Sequence, residues 1–378
     1  MIPAAVTEAL AGLPRPVCAY VYDPAVAVAR VAALRAALPA GSRVCYAVKA
    51  NGHPRLLAAL APVVDGFEVA SGGELALAVQ ALAGRDGLLL FAGPAKTDAE
   101  LAAAVAAGAV VNVESALELR RLAATGGSGR VRCCLRVNRA EPAPAGSHAM
   151  TGTPTQFGID EADLPAVVAL ARELGLTPEG FHLHAVSNSL DSAAYAAFAA
   201  GCVRWAWAAA ARFGLPEPVV NVGGGPGVDY TGGTAFDPAG LRAVGAPVVL
   251  EPGRYVAAPA GWYAAEVIDL KRTHGRWFAV LRGGTHHFRL PAAWGYSHPF
   301  TVVPVDRWNH PFPRPGVAGV RVDVAGELCT PRDVLARDAQ VERLRVGDVV
   351  VFGDAGAYGW DISHHDFLRH PYPDTVFI

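Results

Sequence analysis

From about residue 43 to residue 251 the chain alternates short apolar runs with alanine-rich stretches, and the rhythm repeats eight times. The apolar runs are Val44 to Lys49, Gly66 to Ala70, Leu88 to Ala92, Val110 to Val113, Val131 to Val137, Gly180 to His184, Val219 to Val222 and Val248 to Glu251. They do not alternate in polarity, which is how parallel strands covered on both faces by helices read. Between them lie helical segments such as Glu74 to Ala83, Asp98 to Ala107, Ala116 to Ala123, Leu164 to Leu174 and Ala193 to Phe213. Eight βα units predict a (β/α)8 TIM barrel, over residues 25–262. An open doubly wound sheet has the same rhythm, and the pattern alone does not prove closure.

After Trp262 the rhythm changes. Ala265 to Leu270, a turn at Thr273-His274-Gly275-Arg276 and Trp277 to Leu281 predict a β-hairpin, with further strands at Val320 to Val324 and Asp348 to Phe352. His310 to Pro315 reads as a loop, and Val17 to Tyr22 as a strand that joins the later sheet. Residues 1–24 and 263–378 are therefore expected to form a β-rich domain.

At 378 residues the chain exceeds what one small core needs, so a barrel plus a smaller domain is natural. Net charge is −2 with the two signs intermixed, which leaves no electrostatic footprint for nucleic acid and no polybasic membrane patch. Charges, Gly or Pro break every apolar stretch before it could span a bilayer, and the first residues lack the pattern of a secretory signal. A cytoplasmic protein acting on small molecules is expected. The six cysteines show no CxxC spacing and read mostly as buried small hydrophobes.

Chemistry concentrates at the strand ends. Lys49 closes the first run, where alternation sends it to the side of Cys45 and Ala47, small residues that leave room beside an amine. Desolvation there would lower its pKa and free the lone pair for carbonyl chemistry. In a barrel, the loops after the seventh and eighth strands commonly hold phosphate. Here they are Gly223-Gly224-Gly225 and Glu251-Pro252-Gly253-Arg254: the glycines let backbone N–H groups approach an anion, and Arg254 adds a guanidinium fork. Glu251 could pair with a protonated pyridine nitrogen, or merely with Arg254. His182 and His184 share a strand face, which leaves a metal-dependent barrel hydrolase as an alternative.

Ala47 to Asn51, Glu68 to Glu74, His182-Leu183-His184, Gly223 to Gly225 and Glu251 to Tyr255 together resemble the fold type III decarboxylases that use pyridoxal 5′-phosphate, the family of ornithine and diaminopimelate decarboxylases. The resemblance covers nearly the whole chain. It implies an alanine-racemase-like barrel, with Lys49 attaching the cofactor and His184 stacking on its ring. It further implies Glu251 at the pyridine nitrogen and Ser187, Gly224, Gly225, Gly253, Arg254 and Tyr358 around the phosphate. Arg136 and Glu74 match positions that shape the pocket. Glu68 stands where the family usually has aspartate, and Val186 where it has glycine. A related racemase is disfavoured, since those enzymes typically carry arginine where Glu251 stands.

Gly326 to Thr330 resembles the family segment whose cysteine enters the partner subunit's active site, which implies a homodimer with shared sites and Cys329 as proton donor at Cα. Thr330 replaces the acidic residue that holds a distal ammonium in ornithine-type enzymes, so the substrate should lack a free distal amine. Arg289 resembles the carboxylate-binding arginine of the diaminopimelate type, and His286, His287 and His298 surround it in sequence. Of these, His287, with Tyr358, is expected at the substrate. Within the family, the chain is most similar to the siderophore-pathway branch acting on a citrate conjugate of 2,3-diaminopropionate. Diaminopimelate decarboxylase and a non-catalytic cofactor-binding homologue are the other readings.

Overall fold

Eight parallel strands close into a ring in the computed structural model, which describes residues 2–125 and 130–378. The barrel strands are Arg43–Ala47, Gly66–Val69, Leu88–Phe91, Val110–Val113, Arg132–Asn138, Gly180–His182, Val219–Gly223 and Val249–Leu250. Each pairs in parallel with its successor. Closure comes from the eighth strand, where Val249 lies opposite Arg43 and Leu250 opposite Val44. The open-sheet alternative is thereby excluded.

The strands are buried along almost their whole length. Cys45, Leu90, Val110, Cys134 and Val249, from five different strands, pack into one cluster. Burial of such side chains contributes about 1.5–3 kcal/mol each, and it pushes the thiols of Cys45 and Cys134 well above their ordinary pKa. Both are packing atoms, not nucleophiles. Three of the outer helices begin with the same device. Ser71, Thr97 and Ser115 accept from the backbone N–H of Glu74, Glu100 and Glu118 at 3.2, 3.3 and 3.1 Å. Such caps are worth about 1 kcal/mol each and start the helices Gly72–Leu82, Asp98–Ala106 and Ala116–Ala123.

The chain divides into two compact units: Val28–Val228 with Thr234–Val256, and a second made of the chain up to Ala27, Asp229–Gly233 and Ala257–Ile378. The second is built on a mixed sheet. Its long strand Gly261–Thr273 pairs antiparallel with Cys18–Tyr22, Val349–Phe352 and Arg276–Leu281. Asp374–Phe377 lies parallel to Cys18–Tyr22, while Gly316–Ala325 and Val334–Arg345 extend the sheet from Arg276–Leu281. The hairpin turn falls where expected: His274 and Gly275 sit at φ 46° and 83°, the left-handed pair that a two-residue turn between twisted strands requires. Val6, Leu10, Val17, Ala19, Val21, Trp262, Ala264, Val349 and Val351 form its core on one face. Among the described residues no helix is long and apolar enough to cross a membrane.

Candidate active site

The first barrel strand stops at Ala47, two residues earlier than expected, and Lys49 lies in the single 3-10 turn Val48–Ala50. Register explains its neighbour. Ala47 pairs with Glu68 on the second strand, so the turn carries Lys49 back over that carboxylate, and Nζ stands 2.5 Å from Oε2. Glu68 is 1 % exposed and the lysine side chain 42 %. The amine is thus ion-paired at an open mouth, not desolvated among small apolar residues as the sequence implied.

Beyond the eighth strand in the same barrel, the seventh strand ends in three glycines that hold His184. The Gly224 amide donates to His184 Nδ1 at 3.1 Å, which leaves the proton on Nε2. Burial first, then the charge of Arg136, pushes this imidazole well below its ordinary pKa, so it is neutral. Gly225 adopts φ 137°, and a Cβ there would lie 2.3 Å from the Tyr195 ring, while one on Gly224 would lie 2.8 Å from the Glu251 carbonyl. Only glycine fits this approach. Tyr195 also donates its hydroxyl to the Gly224 carbonyl at 2.7 Å, fixing the loop from the helix Ser192–Phe213.

Glu251, 4 % exposed, follows the eighth strand. Asn221 Nδ2 donates to its Oε1 at 2.7 Å, and His182 Nε2 stands 3.2 Å from Oε2. Burial alone would raise its pKa, but His182, Lys49 and the Asn221 hydrogen bond together hold it well below the usual carboxylate range. A buried, ionised carboxylate results. Asn221 was not singled out in the sequence, although a lone amide inside the apolar run Val219–Val222 is itself a signal. His182 therefore supports Glu251, and among the described residues no group of three or more His, Cys, Asp or Glu could hold a metal.

Arg136 Nη1 donates to Glu114 at 2.8 Å, and both are buried. Glu114 also accepts from the amides of Gly93 and Gly158 at 2.8 and 3.0 Å, so the guanidinium is fixed across several barrel loops. Glu74 Oε2 accepts from the Ala70 amide at 2.7 Å and fastens the loop after the second strand. Arg254, 6 % exposed, opens the helical turn Arg254–Ala257 directly after the buried Gly253. Ser187 lies in a short bridge with His148, and its carbonyl accepts from the Ser147 amide at 2.7 Å. Val186 beside it is buried. The segment that bridges to Ser187 carried no legible motif.

In the β unit, Cys329 is exposed, whereas the other five cysteines are buried. It rides a turn held by Asp333, a residue the sequence did not flag. Asp333 is 1 % exposed and accepts from the Thr285 and Leu328 amides at 2.7 and 2.8 Å, and its own amide donates to the Thr330 carbonyl at 3.2 Å. Thr330 and Arg289 line one cavity of about 620 Å³. Tyr358 adopts φ 54°, rare for a side chain of its size, with its ring 6.1 Å from Trp294.

The histidines differ from expectation. His287 is fully buried, with Nδ1 3.4 Å from the Cys18 sulfur and its ring 3.8 Å from that of His286. Burial, then His286, lowers its pKa to about 3. His298 is also buried, held by the Gly353 carbonyl at 2.8 Å and Tyr296 at 3.0 Å. These are core side chains. The expectation that His287 meets substrate is corrected: clustering in sequence gave no measure of burial.

Comparison with known proteins completes the description. The family model "Pyridoxal-dependent decarboxylase, pyridoxal binding domain" matches residues 26–258. The chain is 38 % identical to 2-[(L-alanin-3-ylcarbamoyl)methyl]-2-hydroxybutanedioate decarboxylase of Staphylococcus aureus, over 99 % of this chain and 97 % of that one. It is 35 % identical to diaminopimelate decarboxylase of Deinococcus radiodurans, over 89 % and 83 %. Among solved structures, diaminopimelate decarboxylase of Helicobacter pylori complexed with L-lysine superposes with a TM-score of 0.84 at 23 % identity, covering 99 % of this chain and 94 % of that one.

Proposed function

The chain belongs to the pyridoxal-dependent decarboxylases, carboxy-lyases that work with pyridoxal 5′-phosphate, and on that premise we propose that it removes the α-carboxylate of a 2,3-diaminopropionate unit whose side-chain nitrogen is acylated by citrate, a siderophore intermediate. The donor set suits the cofactor: an accessible amine, a buried ionised carboxylate, a neutral imidazole and a glycine cradle too tight for any Cβ. The observation that carries the substrate reading is the cavity where Arg289 and Thr330 meet, since none of its lining residues is acidic. A distal ammonium would find no counter-ion there, whereas an acylated nitrogen needs none and an anionic far end would meet Arg289. The Staphylococcus aureus relative is named for such a molecule.

When bound, pyridoxal phosphate supplies an aldehyde that takes up amines and a protonated ring that accepts the electron pair left by departing carbon dioxide. In this reading Lys49 would hold the cofactor through its amine, and Glu68, beside Nζ, would keep the lysine proton whenever that amine is free. Glu251, kept ionised by His182 and Asn221, maintains the proton on the pyridine nitrogen. His184 gives the ring a flat neutral surface that adds no competing charge. Ser187, Gly224, Gly225, Gly253, Arg254 and Tyr358 are assigned to the phosphate, and Arg136 to shaping the pocket around it. Cys329 of one protomer returns a proton to Cα in the other, which makes the active form a homodimer; its exposure supports this role. Cytoplasmic placement belongs to the same reading.

A carbon dioxide release screen tests the substrate. The citryl-diaminopropionate conjugate should exceed diaminopimelate, ornithine and lysine in kcat/KM. Preference for diaminopimelate would instead assign the activity of the second group of relatives.

A further inference from the structure

Arginines in the β unit usually have carboxylate partners: Arg276 pairs with Asp323, Arg282 with Glu327, and Arg314 and Arg345 with Asp348. Among the described residues Arg272, Arg307 and Arg343 have none, and neither do three that share one cavity. The side chains of Arg289, Arg332 and Arg337 form no ion pair or hydrogen bond among the described residues, and all three line the single cavity that also holds Thr330. Their backbones are fixed: the Arg289 amide donates to Ser363 Oγ at 2.9 Å, that of Arg332 to Thr330 Oγ1 at 3.3 Å, and that of Arg337 to Ser297 Oγ at 2.9 Å. His364 lines the same space, and its Nδ1 has no hydrogen-bond partner.

Like charges directed at one cavity repel, and no carboxylate lines it to relieve them. A ligand carrying several carboxylates would relieve all three, because each guanidinium presents a planar fork that matches one carboxylate. The volume, about 620 Å³, is in the range of small-molecule sites. We propose that Arg332 and Arg337 join Arg289 as the determinants that bind the polycarboxylate end of the substrate, so that this cavity selects for a citrate-like group far from the carbon undergoing reaction. The proposal rests on the substrate reading above, but it makes a separate claim about binding.

The test is calorimetric titration of citrate into the pyridoxal-phosphate-loaded full chain at fixed ionic strength, where the cofactor already fills its own anion site. Citrate should bind the wild type, and the Kd should rise at least ~10-fold in Arg332→Gln and again in Arg337→Gln, as loss of a charge-assisted bidentate pair implies. Arg343→Gln, an arginine of the strand Val334–Arg345 outside the cavity, should leave the Kd unchanged. In turnover of the citryl conjugate, the two cavity variants should raise KM far more than they lower kcat. Absence of citrate binding, or an unchanged Kd in either cavity variant, overturns the two-arginine site even if the conjugate is decarboxylated. Citrate binding through both arginines without turnover of the conjugate leaves the site standing and removes the substrate reading instead.

Discussion

At the scale of single residues, environment separates side chains that look alike in the sequence. Glu251 ends an apolar run and Glu68 interrupts one. One is held ionised by His182 and Asn221, and the other pairs with Lys49. The histidines divide in the same way: His184 faces the glycine loop of the barrel, while His287 and His298 are core residues of the β unit. Burial lowers the pKa of His298 from 6.5 to about 4, against the opposing Gly353 hydrogen bond. The unfolded chain therefore binds a proton at His298 that the folded chain refuses between those values, so this contribution is complete above pH 6.5 and is lost as pH falls towards 4. His298→Gln, which keeps hydrogen-bonding capacity without the titration, should flatten the fall of Tm between pH 6.5 and 4.5. An unchanged slope would mean that other groups dominate acid unfolding.

At the scale of elements, the loops that carry chemistry are fastened by buried polar side chains at their bases. Glu114 gathers Gly93, Arg136 and Gly158; Tyr195 fixes Gly224; Asp333 fixes the turn that presents Cys329 and Thr330. Removal of the Asp333 carboxylate strands the Thr285 and Leu328 amides in a buried place. Asp333→Ala should cost about 2–4 kcal/mol in urea unfolding, from two unsatisfied buried donors. Asp333→Asn, with one acceptor retained, should cost less. If the alanine variant unfolds at the wild-type urea concentration, the staple is not structural.

At the scale of the whole molecule, the proposal divides one active site between protomers. Lys49 belongs to the barrel unit and Cys329 to the β unit. Lys49→Ala and Cys329→Ala should each be nearly inactive as homodimers. Co-expressed in equal amounts, they should recover about a quarter of wild-type activity, because half of the dimers are mixed and one of the two sites in each mixed dimer carries neither defect. Recovery no greater than the sum of the two variants alone would place both groups in one chain's site and remove the shared-site arrangement.

Features that depend on local periodicity and on residue type at strand ends were legible in the chain alone. Eight apolar runs with helices between them implied the barrel, the His274-Gly275 turn implied the hairpin of the β unit, and Lys49, the glycine triplet and Glu251 at strand ends carried the family resemblance. Closure of the ring depended on Val249 meeting Arg43, more than two hundred residues away, which no window of sequence contains. Tertiary structure alone decided that Lys49 pairs with Glu68, that Asn221 and His182 keep Glu251 charged, that His287 is enclosed, and that three arginines share one cavity. The reason is physical: period and propensity act between chain neighbours, whereas burial and ion pairing are set by whichever distant segments packing brings within a few ångströms.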